Sequence, residues 1–180
     1  MDKPVNLLDE WPVSQSELLG LFWSDLDWDG RKLYAQRQCY QGKLRELKTS
    51  SSRRVVTLGE VVLVKLRERQ AHQAREREWG ATWEESDLIF TSLTGKPIGS
   101  SNLRQTFASL VAKADLPKIR FHDLRHAAAT LMLQRGIHPK VVQERLGHSS
   151  ISMTLGIYSH VLPSLQEDVA DRLDALLWLQ

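Results

Sequence analysis

Between Arg120 and His160 the chain reads "RFHDLRHAAATLMLQRGIHPKVVQERLGHSSISMTLGIYSH", which sets histidines, arginines and one tyrosine at the ends of short helical patterns. His122 and Arg125 stand three residues apart in a first helical turn, so both project from one face, close to backbone N–H groups that favour an anion. A phosphate would sit well there; equally, Arg125 could pair with a nearby carboxylate while His122 caps the helix at the surface. His122 and His126 have the i, i+4 spacing of zinc ligands, and Asp123 stands where the metalloprotease motif has Glu, but no third ligand is evident and no metal is expected. His148 lies in "LGHSS", between two helices, and Tyr158 follows ten residues later. Taken alone, His148 reads as a structural residue at a helix junction, Tyr158 as a core tyrosine with a wet hydroxyl, and Lys48, in "LKTSSSRR", as a solvated turn lysine.

These residues need a scaffold, and 180 residues with 42% hydrophobic content can bury one good core. The lone cysteine, Cys39, excludes an internal disulfide and any cysteine-rich zinc site. No apolar run approaches the roughly 20 residues needed to span a bilayer, and the acidic N-terminus does not read as a signal peptide, so a cytoplasmic protein without membrane contact is expected. The net charge of +2 averages unlike segments. Residues 1–30 carry one Lys against seven acids, whereas residues 31–77 carry thirteen Lys and Arg against four acids. The second segment is either phosphate-seeking or a solvated helix face.

The patterning predicts an α+β fold, mainly helical, with a small antiparallel three-stranded sheet near the N-terminal side. Strands over 32–37, 43–48 and 53–58 suggest a meander, with turns at Asp29-Gly30, Gln41-Gly42 and Ser50–Ser52. A short helix over 15–21 precedes them. A long helix from Glu60 to Trp79, closed by Gly80, threads Val61, Val64, Leu66 and Trp79 through charged residues. "DLIF" (87–90) reads as a brief strand, and a helix capped by Ser100 or Ser101 carries Leu103, Phe107, Leu110 and Val111. Residues 122–134 place Leu124, Ala128 and Leu131 on one face, with Gly136 as stop; helices then start at Pro139, after Ser149-Ser150 and at Pro163. Residues 128–148 also fit a helix-turn-helix, the pattern of a non-catalytic DNA binder.

Together, "FHDLRHAAATLM", "HPKVVQERLGHSSISMTLGIYSHV" and "LKTSSSRRVVTL" resemble the catalytic domain of the phage integrase family, the tyrosine recombinases, from about Glu17 to Leu177. The resemblance implies site-specific recombination or integration of double-stranded DNA through a 3′-phosphotyrosine, with no metal or cofactor. It implies Tyr158 as nucleophile, Arg125 and His148 on the non-bridging phosphate oxygens, His122 assisting proton transfer, Lys48 as general acid for the leaving oxygen, and Glu17 supporting the site. The chain departs from the family at one position: the first arginine lies three residues before the acidic residue, where this sequence has Ser14. Residues 1–16 are an atypical lead into a catalytic domain over 17–180, and the family's N-terminal helical DNA-binding domain is expected to be missing. A truncated, impaired recombinase is the resulting expectation, which leaves enzymatic activity open; the alternative is a non-catalytic remnant that binds DNA or a partner. The C-terminal helix implies self-association or pairing with a full-length integrase.

Overall fold

The computed structural model describes residues 13–47, 53–80, 82–157 and 159. Helix α1 (Gln15–Leu18) opens on Ser14. The Ser14 hydroxyl accepts from the Glu17 N–H at 3.3 Å, and the Ser14 N–H donates to Glu17 Oε2 at 2.7 Å, a reciprocal capping box.

The sheet contains three antiparallel strands, as expected, but not the expected three. Strand β1 (Leu26–Asp27) pairs with β2 (Lys32–Ala35), which pairs with β5 (Arg54–Thr57). Strands β3 (Arg37–Tyr40) and β4 (Lys43–Glu46) form a separate two-stranded hairpin. The predicted strand over 32–37 therefore breaks at Gln36, and the meander is not formed. Gln41 and Gly42 both have positive φ, 51° and 72°, the backbone that a two-residue hairpin turn requires. That tight turn commits β4 to β3, and β2 takes β5 instead, burying Leu33, Ala35 and Val56 on one face. Buried Asp25 anchors β3 through Arg37, whose Nη1 donates to both carboxylate oxygens at 2.8 and 2.7 Å while its guanidinium lies 4.1 Å from the Phe22 ring centroid.

Helix α2 (Glu60–Trp79) closes at Gly80 as anticipated, but its buried face is Val62, Leu63 and Leu66. Val61, Val64 and Trp79, the last 84% exposed, face outward. The sheet selects this face, because Val62, Leu63 and Leu66 share a core with Leu33 and Val56. "DLIF" forms no full strand: Phe22 and Leu88 make one isolated bridge, reinforced when buried Gln73 donates to the Leu88 carbonyl at 2.8 Å. Helix α3 (Ser100–Lys113) starts from Gly99, since Ser100 is already helical, and its Leu110 is exposed.

Helices α4 (Asp123–Gln134) and α5 (Pro139–Leu146) form an antiparallel-type hairpin turned by Gly136 at φ 75°. Ala129 and Leu133 of α4 pack on Val142 and Leu146 of α5, with Ile157 from the helical segment 151–157 laid against them. Leu131, assigned to the core by periodicity, is 42% exposed, and Leu133 holds that place at 0%. The C-terminal helix predicted from Pro163 lies outside the described residues. Among those residues, no helix is long and apolar enough to cross a membrane.

Leu133→Ala should destabilise the fold by about 2–5 kcal/mol and Leu131→Ala by less than about 1 kcal/mol. Urea denaturation of both variants checks the assignment, and equal losses would contradict it.

Candidate active site

The last turn of α5 organises the site. Gly147 takes the left-handed conformation at φ 69°, so the chain reverses at once and brings His148 back under the helix. His148 is only 7% exposed. Its Nδ1 lies 2.9 Å from the hydroxyl of fully buried Thr154, and Arg125 Nε approaches its Nε2 at 3.4 Å, a long and weak hydrogen bond. An arginine only donates, so this arrangement assigns the Nε2 lone pair towards Arg125 and the proton to Nδ1, where the Thr154 oxygen accepts it.

Arg125, in the first turn of α4, also donates through Nη2 to the Leu146 carbonyl. Asp123 pairs with exposed Arg120 at 2.9 Å, and Arg125 spends its hydrogen bonds on a carbonyl and an imidazole instead. Burial and the charge of Arg54 lower the Arg125 pKa, and Glu17 opposes them; a guanidinium remains charged through any such shift.

Glu17 is buried beside Arg125 and bound to Arg54. Arg54 Nη1 donates to Glu17 Oε1 at 3.1 Å and Nη2 to Oε2 at 3.0 Å, with side-chain exposures of 7% and 10%. Burial alone would raise the Glu17 pKa. The hydrogen bonds and charge of Arg54, the Ser14 N–H and the charge of Arg125 outweigh it and hold the carboxyl below its ordinary value. Arg54 Nε donates to the Arg145 carbonyl at 3.1 Å.

His122 is the N-cap of α4 and makes no side-chain capping bond; it stands edge-on to His126 with ring centroids 4.9 Å apart. Burial, then the neighbouring charges of His126 and Arg125, lower its pKa. His122 and Arg125 border a cleft of about 20 Å³, room for roughly one water, whose far wall is Val13, Ser14 and Gln15. Thus Glu17, Arg125, His148 and, at the rim, His122 and Ser14 come together. Lys48 and Tyr158 lie outside the described residues. The residue that the sequence reading missed is Arg54, although its signal is present: in "RVVT" the alternation places Arg54 on the same side as buried Val56, an inward arginine that needs a buried partner.

Residues 15–164 match the profile of the phage integrase family, and the chain belongs to that family. It is similar to the tyrosine recombinase XerC-like protein of Caldanaerobacter subterraneus subsp. tengcongensis, with 33% identity over 91% of this chain and 46% of the relative. It is also similar to the ICEBs1 integrase of Bacillus subtilis, 30% identical over 89% of this chain and 45% of the relative. The chain therefore spans less than half the length of these two relatives. Among solved structures, the Tn1549 transposon integrase in complex with transposon right-end DNA superposes with a TM-score of 0.76 at 25% identity, covering 91% of this chain and 57% of that one. XerA recombinase superposes with a TM-score of 0.71 at 25% identity, over 93% and 56%.

The buried histidine has a consequence for stability. Burial, then the charges of Arg125, His126 and Arg54, lower the His148 pKa to about 4, whereas an unfolded histidine takes up its proton near 6.5. Between those values the unfolded state binds the extra proton, so stability is full above pH 6.5 and declines as pH falls to 4, by on the order of 3 kcal/mol. Denaturation midpoints from pH 7 to 4.5 should drop less steeply in His148→Gln than in wild type; parallel curves would refute the assignment.

Proposed function

We propose that residues 17–180 act as the catalytic domain of a site-specific tyrosine recombinase that cleaves and rejoins double-stranded DNA in integration or a related exchange. The observation that carries this reading is the convergence of Arg125 and His148 where the start of α4 meets the end of α5, with His148 ten residues before Tyr158 in the chain. In the proposed reaction the Tyr158 hydroxyl attacks a phosphodiester phosphorus. The Tyr–O–P bond forms, the P–O5′ bond breaks, and a 3′-phosphotyrosine and a 5′-hydroxyl result. His122 takes the tyrosine proton, and Lys48 gives a proton to the departing 5′-oxygen. Arg125 stabilises the negative charge that grows on the equatorial oxygens, which is where a preorganised cation contributes most.

His148 contributes a hydrogen bond to the same oxygens, which requires a proton on Nε2. Thr154 suits that exchange, because a hydroxyl can turn from acceptor to donor as the imidazole changes tautomer. Glu17 balances the charge of the two neighbouring guanidiniums. Attack by another strand's 5′-hydroxyl reverses the step and completes recombination. The basic segment 31–77 supplies phosphate contacts on the DNA backbone. A cytoplasmic place of action suits such a substrate, and association with a second integrase protomer through residues 163–177 belongs to the same proposal.

Ser14 favours an impaired version of this enzyme. Its hydroxyl is engaged in capping α1, and serine carries no charge to a phosphate, so one clamp is missing. Loss of one such donor costs about 10²–10³ in rate in comparable sites.

On a nicked suicide substrate cleaved by a full-length relative, wild type should form a denaturant-resistant covalent adduct slowly. Ser14→Arg should form it about tenfold to a hundredfold faster, and Tyr158→Phe not at all. Salt-sensitive binding with no adduct from wild type or Ser14→Arg would replace this reading with a binding-only protein.

A further inference from the structure

Arg54 lies at the start of β5, 37 residues from Glu17 and 91 from Arg145, yet it contacts both. Its three nitrogens serve two parts of one buried junction. Nη1 and Nη2 grip the Glu17 carboxylate in a fork, and Nε points at the last turn of α5. The fit against Gly147 is close: a Cβ at that position would stand 2.7 Å from Nη1 and 2.8 Å from Cζ of Arg54. Gly147 is therefore constrained twice, by its left-handed backbone and by the guanidinium packed on it. The next carbonyl along, that of Leu146, accepts from Arg125, and the next side chain, that of His148, faces Arg125 Nε.

We infer that Arg54 is a positioning residue of the cleavage site: its guanidinium ties α1, β5 and the end of α5 together and so holds Gly147-His148 and Arg125 in register with one another. A planar fork with a fixed angle between its N–H groups can serve a carboxylate on one edge and a carbonyl on the other. A lysine carries the same charge but has no such edges. Without the fork, the end of α5 loses one of its two arginine donors, Glu17 is released, and His148 gains room to tilt away from Arg125. Displacements of about 1 Å in catalytic groups cost up to about a hundredfold in rate.

This inference rests on the recombinase reading for its rate effect but not for its geometric effect, and two measurements on the full chain keep them apart. The first is the titration of the His148 ring in 15N NMR spectra, assigned with His148→Gln, for wild type, Arg54→Gln and Arg54→Lys. Arg125, His126, His122 and Arg54 all act on this ring, and wild type should titrate near 4. Both Arg54 variants should titrate above wild type as the ring gains water, with altered Nε2 shifts. The second is covalent adduct formation at saturating suicide substrate, in which both variants should be about 10- to 100-fold slower with DNA affinity within about twofold of wild type.

Folded Arg54→Lys with the wild-type His148 titration and rate would overturn the inference, leaving Arg54 as charge alone. So would loss of folding in both variants, which would make Arg54 a stability residue. No adduct from wild type, with the His148 titration still shifted in the variants, would sink the recombinase reading and leave the positioning role standing.

Discussion

A helix that ends in the interior leaves its last carbonyls without partners, and the end of α5 is where this molecule meets that constraint. Backbone N–H groups of Gly147 and His148 return to Gln143 at 2.8 and 3.1 Å and close the turn. The carbonyls of Arg145 and Leu146 are left for side chains, and two guanidiniums answer them, Arg54 from the sheet and Arg125 from α4. Two neighbouring cations, the Arg54 side chain buried and Arg125 partly so, are costly without a counter-ion, since stripping the partner from a buried charge costs about 3–5 kcal/mol. Glu17 is that counter-ion, and α1 is consequently fixed against the sheet and the α4–α5 hairpin together.

Everything chemical in the site follows from satisfying that helix end. His148 is buried because Gly147 turns it inward, and it is neutral because burial and nearby cations make imidazolium unfavourable. Arg125 is aimed because its Nη2 is tied to Leu146 and its Nε to the imidazole. The cation is thus placed before any ligand arrives, which is the property that makes such a group effective on a developing oxyanion. Thr154 completes the arrangement from the helical segment 151–157, which thereby holds the imidazole from the side opposite Arg125.

Ser14 shows how one position serves two demands. As an N-cap it satisfies the start of a four-residue helix that has little stability of its own, and it orients Glu17 through the Ser14 N–H. An arginine there would bring a second cation to the cleft beside Arg125 and would forgo the hydroxyl cap. The sequence settles this competition towards local structure, and Glu17 is consequently shared between the cap and Arg54.

The one-dimensional pattern carried the helices further than it carried the packing. The bounds of α2, α4 and α5 could be read from local rules, because caps, prolines, glycines and helical periodicity act within a few residues, whereas His148 by itself reads as a structural residue and is singled out only by the family resemblance. Which strand pairs with which could not, since β2 joins β5 across an intervening hairpin and the choice rests on a turn that claims β4 first. Nor could the sequence place Val61, Val64, Trp79 and Leu131 outside, because periodicity offers an apolar stripe and only the neighbouring element selects its edge. Arg54 is the clearest case: in one dimension it is one more arginine in a basic segment, and only the approach of α1 and α5 to β5 makes it the hub of a buried network. Local rules reach a few residues, whereas burial of a charge is a property of every segment that surrounds it.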